Sequence, residues 1–486
     1  MPENKKSSEH NRIPAHPPTP QGFVTQAPQR FILMTPQMAA IGGLVAFFTV
    51  VLMVVVLPTT TYNPPPSTNW APLSNAAMRG RAIYISNGCL YCHSGFTRPQ
   101  DVYQGRYYLY TRISEPGDYQ ESGESPNILG TERTGPDLSQ EGGHHPDGWH
   151  VAHYWSPRST MPISIMPRFN FLTDDQTKDL IAFNQSQGGK EALLRYAAIT
   201  VGGSLMRSNM GMMNPEETFP DLVQQLQQEE NADLNLQGDP MDKSPSGLPW
   251  MMVWMMNSFE RSYWLTKNPL PLTQQNLIKG KAIFLERCIG CHGEKGDGKG
   301  PAAQFLMPTP FDFTSDDVNG PGASDGQMYH RILTAGPGTA MENFGTRLSV
   351  EDIWRVVLFL RTIQNGGLEQ SLPTVDMYKP WSPPKPMLNY IDNHPIESRD
   401  PGPGFQEGDY DPFFEAARWV SPGMAKDDMI LIGGKLPMTL DRLASVIRTK
   451  YFDMLQQAYD DANGRGEELP SKDLIMSTED LRFYGP

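Results

Sequence analysis

No charged side chain separates Arg30 from Arg79, and within that stretch Met38 to Leu57 is almost wholly apolar. At ~1.5 Å per residue such a run reaches ~30 Å, the hydrocarbon thickness of a bilayer. A cleaved leader would carry an apolar core of ~7–15 residues nearer the start and a small-residue cleavage site. Here the chain runs on into Thr59-Thr60-Thr61-Tyr62-Asn63-Pro64-Pro65-Pro66 instead. The pattern predicts an uncleaved transmembrane anchor over 35–58. The greasy stretch Pro249 to Met256 is too short to span and reads as a buried helix start or a docking surface. Helical patterns open at Gly80-Arg81-Ala82-Ile83-Tyr84 and at Gly280-Lys281-Ala282-Ile283-Phe284, and recur over Ser349 to Val357. A polar helix is expected over Gln224 to Glu230 and a longer one from Thr439 to Ala462. The chain is therefore expected to be mainly α.

Charge orients the anchor. Lys5, Lys6, Arg12 and Arg30 all precede it, which places residues 1–34 in the cytoplasm and the remainder outside. The net charge of −14 argues against nucleic-acid binding, which needs a basic surface. Mean hydropathy of −0.45 excludes a polytopic membrane protein. With 44 Gly and 45 Pro the chain is rich in turns, yet short of a disordered composition. After Gly367 prolines crowd at 380, 383, 384 and 386, and the segment from Glu369 onward holds 20 acidic against 12 basic residues. This Pro-rich acidic tail, 367–486, is expected to be partly extended and to wrap on partners or on neighbouring domains.

The four cysteines fall in two identical patterns, Cys89-Leu90-Tyr91-Cys92-His93 and Cys288-Ile289-Gly290-Cys291-His292. C-x-x-C-H is the attachment signature of c-type haem. Two thiols one helical turn apart can each add to a vinyl group of one porphyrin, and the following histidine then lies under the iron as an axial ligand. A zinc site would want four N/S ligands at matched spacing, and a disulfide framework would want a smaller, Cys-dense chain. Two covalently attached haems are expected.

Each iron needs a sixth ligand. After the second motif, Gly336-Pro337-Gly338-Thr339-Ala340-Met341 marks a loop just before a helix, so Met341 is preferred over Met307, which lies close behind His292. A thioether there favours reduced iron and raises the potential. For the first motif the candidates are Met161 and Met166, with His144, His145, His150 and His153 nearby, and spacing does not choose between the two methionines.

The ordered elements Gly80-Arg81, Cys89 to Ser94, Arg98-Pro99, Arg133 to Leu138, Gly142-Gly143, Trp149-His150, His153, Pro157-Arg158 and Met166-Pro167 closely resemble subunit II (FixO/CcoO) of cbb-type haem–copper oxidases. The resemblance covers about 35–190. It implies a mono-haem cytochrome c held by one membrane helix, with Met166 as the distal ligand. It also implies a bacterial inner-membrane location, periplasmic haem domains and a polytopic haem–copper partner subunit. The segment 272–366 resembles a class I cytochrome c. In such domains the Gly/aromatic helix packs on the C-terminal helix, and a loop like those at Pro136 and Pro301 runs beneath the haem on its histidine side.

The expected organisation is thus a cytoplasmic segment (1–34), an anchor (35–58), a FixO-like domain (72–190), a linker (191–271), a second cytochrome domain (272–366) and the tail. The Met-rich stretch Met206 to Met213 in the linker reads as an adaptable packing surface. The function expected is electron transfer to a haem–copper core, with a soluble electron-carrier protein as a further partner. The alternative is an electron-accepting subunit of a dehydrogenase or quinol-oxidising complex. With both irons six-coordinate, no catalytic residue is expected, and a di-haem peroxidase is disfavoured.

Overall fold

A computed structural model describes residues 35–57, 60, 65–96, 116–119, 128, 130, 133–230, 236–395 and 410–485. The N-terminal segment 1–34 and the Arg98-Pro99 element lie outside these residues. The chain divides into two units, Met1–Asn63 and Pro64–Pro486.

In the first unit a helix runs over Pro36–Val51 and continues as a wider turn over Leu52–Val56. Thr35 caps it, its hydroxyl accepting from the Met38 amide at 3.3 Å. The whole stretch Pro36–Val56 has a mean hydropathy of 2.7, is entirely exposed, and is long and apolar enough to cross a membrane. Exposure on every face is what a helix solvated by lipid would show.

The second unit contains two cytochrome-like cores built on one plan. In the first, the Asn75–Ser86 helix crosses the Asp174–Ser186 helix. Gly80 sits at the crossing, where a Cβ would come within 1.9 Å of the Asp179 carbonyl oxygen. Tyr84 then meets Phe183 with ring centroids 5.2 Å apart. In the second, the Gln274–Arg287 helix crosses the Val350–Leu360 helix. Gly280 would bring a Cβ within 2.1 Å of the Arg355 carbonyl oxygen, and Phe284 meets Phe359 at 5.7 Å. The glycine admits the backbone and the aromatic one turn later fills the core on the same face, as helical spacing requires.

The linker and the tail depart in part from expectation. The tail, expected to be partly extended and to wrap on neighbouring domains, does pack on them, but largely as helices: with the linker it builds the largest hydrophobic core among the described residues of the unit. From the linker side come the helices Gly189–Asn209, Pro220–Glu230 and Trp250–Asn257. From the tail come Lys385–Asn393, Pro412–Val420 and Leu440–Gly464, with a two-stranded antiparallel hairpin, Ile430–Ile432 against Leu436–Met438. The long tail helix buries Leu440, Leu443, Ala444, Ile447, Tyr451, Leu455, Ala458 and Ala462, an apolar stripe at spacings of three and four. Asp441, Asp453 and Asp460 of this helix are exposed, so acidic charge and a buried stripe share one helix. The Trp250–Asn257 helix buries Val253, Trp254 and Met256 against this core.

This third core holds both cytochrome domains. Arg465 donates to the Leu73 carbonyl at 2.6 Å, and Asp461 accepts from the Asn75 amide at 2.8 Å, fixing the start of the first domain's leading helix. Gly202 and Gly203 of the Gly189–Asn209 helix receive the Pro337-Gly338 turn of the second domain. A Cβ on Gly338, whose φ is +75°, would lie 2.0 Å from the Gly203 nitrogen.

Candidate functional site

The first Cys-x-x-Cys pair occupies a single helical turn, Cys89–Cys92, begun by Gly88 in the left-handed conformation at φ +76°. That turn breaks from the preceding helix and aims both thiols to one side. His93 follows, and its Nδ1 donates to the Pro136 carbonyl at 3.0 Å. This leaves Nε2 as the free ring nitrogen, the arrangement a metal-bound imidazole uses. Gly135 makes the approach possible: its amide donates to the Cys92 carbonyl at 2.7 Å, and a Cβ there would come within 2.6 Å of the His93 ring. The Tyr84 hydroxyl donates to the His93 carbonyl at 2.5 Å.

The second site repeats this logic. Ile289–His292 forms the turn, and the Gly300 amide donates to the Cys291 carbonyl at 3.0 Å. The acceptor for His292 Nδ1 is the Phe311 carbonyl, also at 3.0 Å. Pro301, the sequence counterpart of Pro136, does not supply it. The acceptor lies 19 residues after the histidine in the second site, against 43 in the first. All four thiols are free. Burial pushes Cys89 up to about 11 and Cys288 and Cys291 up to about 12, so they are neutral thiols. Burial likewise holds both His93 and His292 below the usual imidazole range, leaving them neutral and able to bind a metal.

A cavity of about 810 Å³ opens over the first site. Its walls include Tyr84, Cys89, Cys92, His93, Met161 and Met166 from the first domain, and also Met341, Glu342 and Arg347 from the second. Cys288, Cys291 and His292 do not line it. The two methionine candidates differ in their surroundings. Met166 packs on the first domain's own core. The sulfur of Met161 accepts from Arg347 Nη1 of the second domain at 3.4 Å. Met341 packs on the second core, whereas its rival Met307 is 53% exposed.

All four histidines, His144, His145, His150 and His153, also line this cavity. His150 is buried, His145 pairs with Glu141 at 2.8 Å, and His153 Nδ1 lies 2.6 Å from the Thr160 hydroxyl. Trp149 is stacked between His145 and His153, at 3.8 and 4.6 Å.

The two domains touch close to the chemistry. Gly290, inside the second motif, lies against the first domain's Pro157–Thr160 turn; a Cβ there would lie 2.2 Å from the Ser159 carbonyl oxygen. Around this contact Ala152, Ala302 and Leu306 form a small shared core, joined by Cys291, Phe305 and Ala340. Sequence reasoning missed Gly290 and the Gly202–Gly203 seat; the only signal was glycine itself.

The donor set fits c-type haem. Each site offers two thiols one turn apart, an imidazole with Nε2 free and its tautomer fixed by a backbone carbonyl, and a half-buried thioether in reach of the domain core.

Residues 23–230 match the family described as cytochrome c oxidase, mono-haem subunit/FixO, and residues 277–364 match the cytochrome c family. Residues 23–230 thus carry a FixO-type segment and residues 277–364 a cytochrome c domain, which implies covalently bound c-type haem and an electron-transfer role. No curated protein matches the chain. Among solved structures, a chain of the Kuenenia stuttgartiensis reducing HAO-like protein complex aligns at 17% identity, over 60% of this chain and 96% of that one. Its TM-score is 0.18, too low to bear on the fold.

Proposed function

Because the chain joins a FixO-type mono-haem segment to a cytochrome c domain, we propose that it is a di-haem electron-entry arm feeding the catalytic core of a haem–copper terminal oxidase. The contact between the second attachment turn and the first domain at Gly290 and Ser159 carries this reading. A backbone contact this close makes the two sites a fixed pair rather than beads on a flexible linker. Electrons enter at the second domain from a soluble carrier protein, pass to the first, and leave for a polytopic haem–copper subunit. The Pro36–Val56 helix anchors the chain in the bacterial inner membrane, with the N-terminus cytoplasmic and both haem domains periplasmic.

The haem, when bound, supplies a one-electron iron couple. The chain's residues hold and tune it. Cys89 and Cys92, and Cys288 and Cys291, are the covalent attachment points. His93 and His292 would hold the iron through Nε2, each oriented through its Nδ1 by a backbone carbonyl. Met166 and Met341 would supply the thioethers; engagement of the Met161 sulfur by Arg347 favours Met166 in the first domain. The thioether favours the reduced state.

The test is substitution of each methionine by alanine in the full-length protein. The thioether–iron absorption band at the red edge of the oxidised spectrum falls by about half in Met166→Ala and in Met341→Ala, and vanishes in the double variant. A band unchanged in both single variants overturns the ligand assignment.

A further inference from the structure

Between the two sites lies a charged pair that the electron-relay reading does not use. Glu342 follows Met341 directly, and its side chain is 9% exposed. Arg347 Nη1 donates to Glu342 Oε2 and also to the Met161 sulfur of the other domain. Glu342 Oε1 is buried without a hydrogen-bond partner. Arg347 thus provides the carboxylate's charge partner, and its own position is set from across the domain boundary. Met341, its chain neighbour, packs on the same core as Cys288 of the second attachment pair. Glu342 and Arg347 both face the cavity shared with Cys89, Cys92 and His93.

We infer that Arg347 sets the reduction potential of the second haem by neutralising Glu342. The inference rests on the reading that the second motif carries haem. A buried negative charge near the iron stabilises its oxidised form, which is more positive by one charge than the reduced form. With Arg347 in place the two charges cancel at the haem. Without it the carboxylate acts alone; without the carboxylate the guanidinium does. Arg347 is a positioning and charge-balancing residue, not a ligand.

The experiment is a potentiometric titration of the full-length protein in detergent, followed by haem absorption. Mass analysis of the peptide spanning Cys288 to Cys291 is run on the same preparation. In Arg347→Gln one of the two midpoints falls, with the ferrous-to-ferric ratio at a fixed solution potential reduced about tenfold, or about 59 mV. In Glu342→Gln the same midpoint rises by a similar factor. The double variant returns to within about threefold of the starting protein, as does Arg347→Lys, which keeps the charge. A purely structural role would move both single variants in one direction. Shifts of the same sign, or no shift in Glu342→Gln, would overturn the inference while leaving the haem reading intact. A Cys288–Cys291 peptide without haem mass would instead overturn the reading beneath it. Should Arg347→Gln fail to fold, Glu342→Gln and Arg347→Lys decide the matter.

Discussion

Gly290 is where the account can be pressed hardest. It sits inside the second attachment turn, and a Cβ there would lie 2.2 Å from the Ser159 oxygen and 3.1 Å from its carbonyl carbon. Both atoms are backbone, so no rotamer change relieves the clash. The two domains must part locally by about 1 Å to restore ordinary van der Waals contact. Overpacking of this kind costs about 1–3 kcal/mol. Alanine in place of glycine within a helical turn returns up to about 1 kcal/mol, so the net loss for Gly290→Ala is about 0–3 kcal/mol. For a unit of this size the shift in Tm is at most a few degrees. The larger effect falls on function, because the displaced interface is the one joining the two sites. Stopped-flow reduction, with the two haems resolved by their spectra, should show slower equilibration between them while each site still reduces fully. Gly290→Val, with a β-branched side chain, should be worse on both measures. Unchanged interhaem equilibration in both variants, with both haems attached, would refute the claim that this contact holds the two sites as a fixed pair for electron transfer.

Acid should destabilise the first domain before the rest. Burial holds His144, His150 and His153 at about 3, 4 and 3, against an ordinary 6.5. The unfolded chain therefore binds more protons than the folded one between these values, and stability falls as the pH drops below about 6.5. Each histidine contributes up to about 1.4 kcal/mol per pH unit within that window, measurable as Tm against pH, and His150→Gln should flatten the slope. Arg361 is buried and donates to Asp325 and to the Val318 carbonyl, each at 2.8 Å. Arg361→Met leaves that carboxylate without its charge partner and should cost about 3–5 kcal/mol in denaturant unfolding. The Tyr451 hydroxyl is buried in the third core without a hydrogen-bond partner among the described residues, so Tyr451→Phe should raise stability by about 1 kcal/mol. A fall in Tm would show that the hydroxyl is satisfied.

Local pattern was enough wherever the chemistry is local. The Pro36–Val56 helix follows from an uninterrupted apolar run, and the two attachment turns from five-residue motifs. The pairing of Gly80 with Tyr84, and of Gly280 with Phe284, reports one helix face and survives in the structure as two equivalent crossings. Non-local packing was not readable. The Trp250–Asn257 helix has no polar face, so periodicity gives it no orientation; its partners include the Ile430–Ile432 strand and Tyr390, more than a hundred residues later. Prolines and acidic residues disguised the tail as an extended segment, although the stripe from Leu440 to Ala462 was present in the helix expected there. Phe311 was missed because its backbone carbonyl, not its side chain, orients His292, and any residue type supplies a carbonyl. Gly338 against Gly203 is likewise a contact that neither segment announces alone.

The central claim is that this chain delivers electrons to a haem–copper core. The most direct test is to purify the native complex in mild detergent and identify its subunits by mass spectrometry. The account predicts a co-purifying polytopic haem–copper subunit whose reduction depends on this chain. A molybdenum, flavin or quinol-oxidising partner in its place would contradict it, and would recast the same two haem sites as an outlet draining a dehydrogenase.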